Sequence, residues 1–137
     1  MATFFKFNPF VEDVWEGVHV FGTHQLMAFL TTNANIPTVT MRTLSQVTQI
    51  AYTNLSSQNI TTASSSQTSG TYTLVLTDLV LTASGAVATF RHSGIYNDTP
   101  TSPADPLVCS FDYGSDVTLS TGETFTYDFG ASLISST

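Results

Sequence analysis

The sequence predicts an all-β protein, an antiparallel β-sandwich of jelly-roll or immunoglobulin-like type with one short N-terminal helix. Three observations carry that expectation. Forty of the 137 residues are Ser or Thr, while only Lys6, Arg42 and Arg91 are basic. The branched Cβ of threonine fits a pleated, half-buried surface, and serine hydroxyls satisfy backbone groups in turns. Apolar alternation and turn signals recur at sandwich spacing from Thr71 to Phe129. Finally, a single stretch, after Asn8-Pro9, reads as a helix.

The totals bound the rest. A chain of 137 residues makes one domain, 1–137, long enough to bury a core without disulfides or metal. Charged residues make up 9%, well below the usual quarter or so. The formal net charge of −7 opposes binding to nucleic acid, which needs cations on phosphates, and to anionic membranes. Cys109 is the only cysteine, so no intrachain disulfide forms; within LVCSF it reads as a buried small hydrophobe. MATFFKFNPF has neither a basic cluster before an apolar run nor a small-residue cleavage site, so synthesis in a reducing cytoplasm is expected.

Residues 1–31 hold six of the ten phenylalanines, the only tryptophan and two of the three histidines. Residues 1–10 form an aromatic arm, with Phe4, Phe5, Phe7 and Phe10 too apolar to stand in water. Two readings stay open: an edge strand over the chain's own core, or an arm docked on another subunit. Phe4, Phe5, Phe7, Phe10 and Trp15 are the candidate subunit-interface residues. The helix is expected at about Pro9–Glu16, with Asn8 as cap, Glu12 and Asp13 favouring the positive end of its dipole, and Gly17 as its stop. Phe10 and Val14, with Val11 and Trp15 beside them, are assigned to one apolar face.

From His24 the pattern turns to β. HQLMAFLTT is a buried strand, and Pro37 ends the loop that follows in extended backbone. TLSQVTQIAYTN fits a loop containing a short helix or strand. NITTASSSQ is polar throughout and suits an edge. In TYTLVLTDLVLT, Tyr72, Leu74 and Leu76 share a side, and Ser84-Gly85 turns into AVATFRHSGIYND. DTPTSPADP is the clearest loop. LVCSFDYG and DVTLSTGETFTYDFG complete the strands, with Val117, Leu119, Phe125, Tyr127 and Phe129 on one face and a hairpin turn expected at Thr121-Gly122.

No motif carries catalysis: there is no G-x-S-x-G elbow, phosphate-binding glycine loop, H-E-x-x-H or paired cysteine set. The protein is therefore not expected to be an enzyme, and no cofactor or metal is implied. His19 and His24, five apart across Gly22, do not share a helix face, so hydrogen-bonding roles are expected for them. Asp98, Asp105, Asp112 and Asp116 match no calcium loop and read as turn caps. Asn-X-Ser/Thr triplets at Asn54, Asn59 and Asn97 are no more than this composition produces by chance. Tyr52, Tyr96, Tyr113 or Trp15 could serve as a sugar-stacking platform, which defines one function class.

Two stretches carry a resemblance. FNPFVEDVWEGVH, with a following strand ending in LTT and a proline-containing loop, resembles the opening of small virion structural proteins of tailed bacteriophages. SGIYNDTP and PLVCSFDYGSDVTLSTGETFTYDF resemble the C-terminal half of the same kind of protein, and together these stretches cover about half the chain. The resemblance implies a structural part of the virion, made in the bacterial host cytoplasm. The favoured expectation is a capsid decoration (cement) protein on the phage head surface, a homotrimer bridging capsomers, with the major capsid protein and its own copies as partners. The alternatives are a tail tube, adaptor or fibre-base subunit and, from a different class, a carbohydrate-binding receptor module.

Overall fold

The computed structural model describes residues 3–136. The elements in chain order are β1 (Thr3–Lys6), α1 (Asn8–Trp15), β2 (Leu26–Thr31), a single 3-10 turn (Leu44–Gln46), β3 (Asn59–Ile60), β4 (Thr62–Thr68), β5 (Thr71–Leu76), β6 (Leu79–Thr82), β7 (Phe90–Asn97), β8 (Leu107–Val117), β9 (Thr124–Tyr127) and β10 (Ile134–Ser136). Every strand pair is antiparallel. The fold is therefore the all-β, sandwich-like one with a single short helix that composition and turn spacing indicate. Among the described residues the strands form three hydrogen-bonded sheets: β1-β8-β7-β2-β3, β10-β5-β4 and β6-β9.

Strands at the centre of the large sheet are buried on both faces. β2 and β7 are closed off almost throughout, which explains why LMAFL is continuously apolar instead of alternating. Gly94 of β7 fills a position where nothing larger fits. A Cβ there would lie 2.6 Å from the Cys109 carbonyl oxygen and closer still to the Phe29 ring. The polar β4 has the opposite environment: it lies at a sheet edge, mostly exposed.

The arm is an edge strand. β1 pairs with β8 in the register Phe4↔Phe111 and Phe5↔Ser110, and the Phe7 amide donates to the Val108 carbonyl at 3.2 Å. Phe7 is fully buried and Phe10 nearly so, both in the chain's own apolar cluster. Assigning these two to a subunit interface is thereby corrected: the Phe7 bond to Val108 at the end of β1 and the inward face of α1, which carries Phe10, place both rings in the chain's own core.

Three further expectations are revised. Asn8 is the first helical residue, not the cap; Phe7 stands at the cap position and offers no side-chain bond. Gly17, at φ +77°, follows the helix end as expected. TYTLVLTDLVLT breaks at Thr77-Asp78 into β5 and β6, which join different ladders. The turn at Thr121-Gly122 does not close a hairpin, since β9 pairs with β6 while β8 pairs with β7 and β1. The intervening chain crosses over through the Val87 amide's bond to the Leu119 carbonyl at 3.1 Å.

Candidate functional site

Helix α1 divides its residues by rotation. Phe10 and Asp13, three apart, turn inward, while Val11 and Trp15, four apart, stand together on the outer side. Trp15 is 87% exposed, with Val11 at 42% and Val14 at 39% beside it. The helix thus carries an apolar stripe facing away from its own core. The single apolar face expected from sequence is split in two, because Asp13 takes a buried position that the sequence left to valine.

Asp13 is held there by Arg42, whose guanidinium binds its Oδ1 and also reaches Glu12 Oε1 at 3.3 Å. That pairing makes burial of a carboxylate tolerable. Glu12 and Asp13 both lie beyond the first helical turn, so the dipole role assigned to them from sequence does not apply. Next along the chain, His19 lies stacked on Phe21 with ring centroids 5.3 Å apart. Its Nδ1 lies 3.1 Å from Asn97 Nδ2, and the same amide nitrogen is 2.9 Å from His24 Nδ1. The Val20 amide also donates to His24 Nδ1, at 3.2 Å. The one Asn97 amide nitrogen is thus shared between the Nδ1 atoms of the two histidines. Burial, with a small contribution from His24, pushes the pKa of His19 down to about 4, against the opposing pull of Asp13. The hydrogen-bonding roles expected for these histidines are therefore found, around a partner the spacing did not reveal.

This segment lies at the Leu107 end of β8. The Leu107 amide donates to the Arg42 carbonyl at 2.8 Å, and the Asn97 amide to the Pro106 carbonyl at 2.9 Å. At the other end of β8, aromatic rings line a half-open hollow of about 190 Å³ bounded by Phe111, Tyr113, Phe125, Tyr127 and Phe129 with Ser93, Thr126 and Asp128. The rings meet edge to face, Phe125 to Tyr113 at 5.4 Å and Phe125 to Tyr127 at 5.7 Å. A second hollow of about 200 Å³ shares Phe111, Asp128 and Phe129 and is bounded by Phe4, Ser132 and Leu133. Phe4, the one arm phenylalanine left mostly exposed, borders this hollow.

The remaining candidates occupy structural positions. Tyr52 donates to Gln49 and accepts the Leu30 amide at 2.9 Å; burial pushes its pKa up to about 12. Tyr96 is buried and its pKa likewise raised to about 12. Of the proposed sugar-stacking residues only Tyr113 and Trp15 face solvent, in two separate regions. Asp112 binds Arg91 at 2.9 Å and accepts the Gly114 amide at 2.8 Å, which pull its pKa down to about 2. Cys109 is buried, and burial raises its pKa. Among the described residues no group of three or more His, Cys, Asp and Glu is arranged to hold a metal ion. None of the helices among them is long and apolar enough to cross a membrane.

The chain matches no protein-family model, no curated protein and no solved structure.

Proposed function

We propose that the chain is a virion structural subunit of a tailed bacteriophage, a capsid decoration protein that assembles as a homotrimer and reinforces the head from outside. One observation carries the subunit reading: large apolar side chains stand outward together on helix α1, Trp15 at 87% exposure with Val11 at 42% and Val14 at 39%. Exposed apolar residues grouped on a rigid face support association better than scattered ones do. Low charge supports the same reading, since an interface rich in hydroxyls requires little desolvation of ions. The phage resemblance of the two sequence stretches supplies the location. Three identical copies suit the local three-fold positions of an icosahedral shell.

The mechanism is linkage. A subunit that binds the assembled shell and not its separated parts stabilises the shell by its binding free energy at each site. The partners are the major capsid protein and further copies of this chain, and no catalytic, cofactor or metal role is assigned. Adding the protein to shells that lack it should raise the temperature at which they rupture, with the gain saturating at a fixed ratio to the major capsid protein. Shells equally robust without it would end the cement reading. A few copies confined to the tail would replace it with the tail-subunit reading.

A further inference from the structure

Charge at the half-open hollow beside β8 and β9 is one-sided. Its wall holds five aromatic rings and the acidic Asp128. Among the described residues, none of Lys6, Arg42 and Arg91 borders it, or the second hollow that shares Phe111, Asp128 and Phe129. Arg42 and Arg91 are already paired, with Asp13 and Asp112 respectively. The face of an aromatic ring is the negative end of its quadrupole, so rings and carboxylate favour the same sign of occupant. In a chain of net charge −7, the ligand that complements this wall is a cation.

The angles between the rings narrow its shape. Phe125 stands at 87° to Tyr127 and at 61° to Tyr113, Phe111 stands at 87° to Tyr127, and even Tyr127 and Phe129 are tilted by 46°. Rings so inclined make no slot for a flat ligand and no single platform for a sugar. They form the corner of a box, which a compact, rounded ion touches on several sides at once. The volume of about 190 Å³ exceeds the roughly 150 Å³ that holds a benzene molecule in an apolar interior. Hydration narrows the choice further. A primary ammonium gives up strong hydration and asks for three acceptors. A wall made mostly of ring carbon suits a quaternary ammonium, which has no N–H to satisfy.

We propose that the hollow between Phe111 and Phe129 binds a small quaternary ammonium ion of choline size, seated against the rings with the exposed Asp128 at the rim balancing its charge. Tyr113, 47% exposed, is the ring on the solvent side. The adjoining hollow, beyond Phe111 and Phe129, leaves room for the ion's longer substituent. A site for a small ion is independent of whether copies of the chain associate.

Calorimetric titration of the intact protein with choline chloride, at constant ionic strength, should show one saturable site per chain in the millimolar range. Dimethylbutanol, the neutral isostere with carbon in place of the charged nitrogen, should bind at least about tenfold more weakly. Tyr113→Leu keeps an apolar side chain and loses the ring. Asp128→Asn keeps the Oδ1 that accepts the Gly130 amide and loses the charge. Each should weaken choline binding about threefold or more, with the fold unchanged by circular dichroism. Trp15→Ala, which removes the exposed indole elsewhere on the surface, should bind choline as the parent does. No binding in that range, equal binding of the isostere, or loss of binding in Trp15→Ala would each overturn the site. Full affinity in Asp128→Asn, or in Tyr113→Leu where it folds, would overturn it too. None of these results bears on whether the chain binds shells.

Discussion

Between Phe4 and Phe21 the aromatic side chains hang on a helix and its flanks, whereas between Phe111 and Phe129 they hang on strands. The two regions are similar in composition and opposite in shape. On α1 a step of four residues returns to the same side, so Val11 and Trp15 form a ridge above the buried Phe10. On β8 and β9 alternate residues share a face, and rings packed edge to face leave a hollow between them. Aromatic content alone therefore does not decide whether a region is core, knob or hole. The backbone period does, together with what lies underneath.

The sharpest way to break this contrast is inside the N-terminal region. Phe7→Ala removes a fully buried ring and should cost about 3–5 kcal/mol in urea unfolding. A cost near zero would return the arm to the surface and restore Phe7 to the candidate interface. Removal of residues 1–10 should likewise destabilise the fold, since it takes Phe7, Phe10 and a whole strand of the large sheet.

The next effect concerns what holds the ridge in place. The folded-state pKa of His19 lies near 4 against an ordinary 6.5, so between those values the unfolded chain binds a proton that the folded chain refuses. Stability contributed by neutral His19 is complete above pH 6.5 and falls as pH drops towards about 4, by up to about 3 kcal/mol. The groups facing His19 are Asn97, His24 and Asp13, and only Asp13 opposes the loss. His19→Gln, whose amide oxygen can still accept from Asn97, should flatten this part of the acid limb. His92, also lowered by burial, acts in both proteins and cancels in the comparison. An identical acid limb in the variant would assign it to other groups.

How far these regions were legible follows from the range of the forces that set them. Short-range signals were readable: the helix after Pro9, the stop at Gly17, the buried LMAFL strand and the polar edge of TASSSQT. Partners distant in sequence were not. Asp13 read as a residue at the positive end of the helix dipole because Arg42, 29 positions on, gives no local sign of covering it. The two histidines gave no hint of Asn97, 78 and 73 residues away. The hairpin at Thr121-Gly122 misled for the same reason: a good turn sequence fixes a bend, while the apolar faces on either side choose which strands pair. The cavity had a partial signal in the alternation of Phe125, Tyr127 and Phe129, but a shortage of atoms between rings leaves no mark in a sequence.

In the strand region, the floor of the cavity depends on one buried polar contact. Tyr127 donates its hydroxyl to the Phe29 carbonyl at 3.1 Å, tying β9 to the large sheet, and burial raises its pKa. Tyr127→Phe keeps the ring and loses the bond, so unfolding should become easier by about 1 kcal/mol. Nearly unchanged stability would mean that the rings alone define the hollow.

The smallest expected effect is the most pointed. Trp15→Ala should change the stability of the dilute protein by no more than about 0.5 kcal/mol, because a side chain that is 87% exposed has little native packing to lose. In dilute solution the emission of Trp15 should be that of a water-exposed indole, and it should be quenched readily by small polar quenchers. Unfolding in urea at low protein concentration, with wild type and variant side by side, measures the first; a quenching titration on the wild type measures the second. A loss well above 1 kcal/mol with a protected indole would show that the ring folds back on Val11 and its own helix. The ridge would then belong to the interior of the monomer, and the contrast between the two aromatic regions would dissolve. Agreement on both measurements would leave the largest aromatic side chain in the molecule contributing almost nothing to its fold, and free to contribute to whatever it meets.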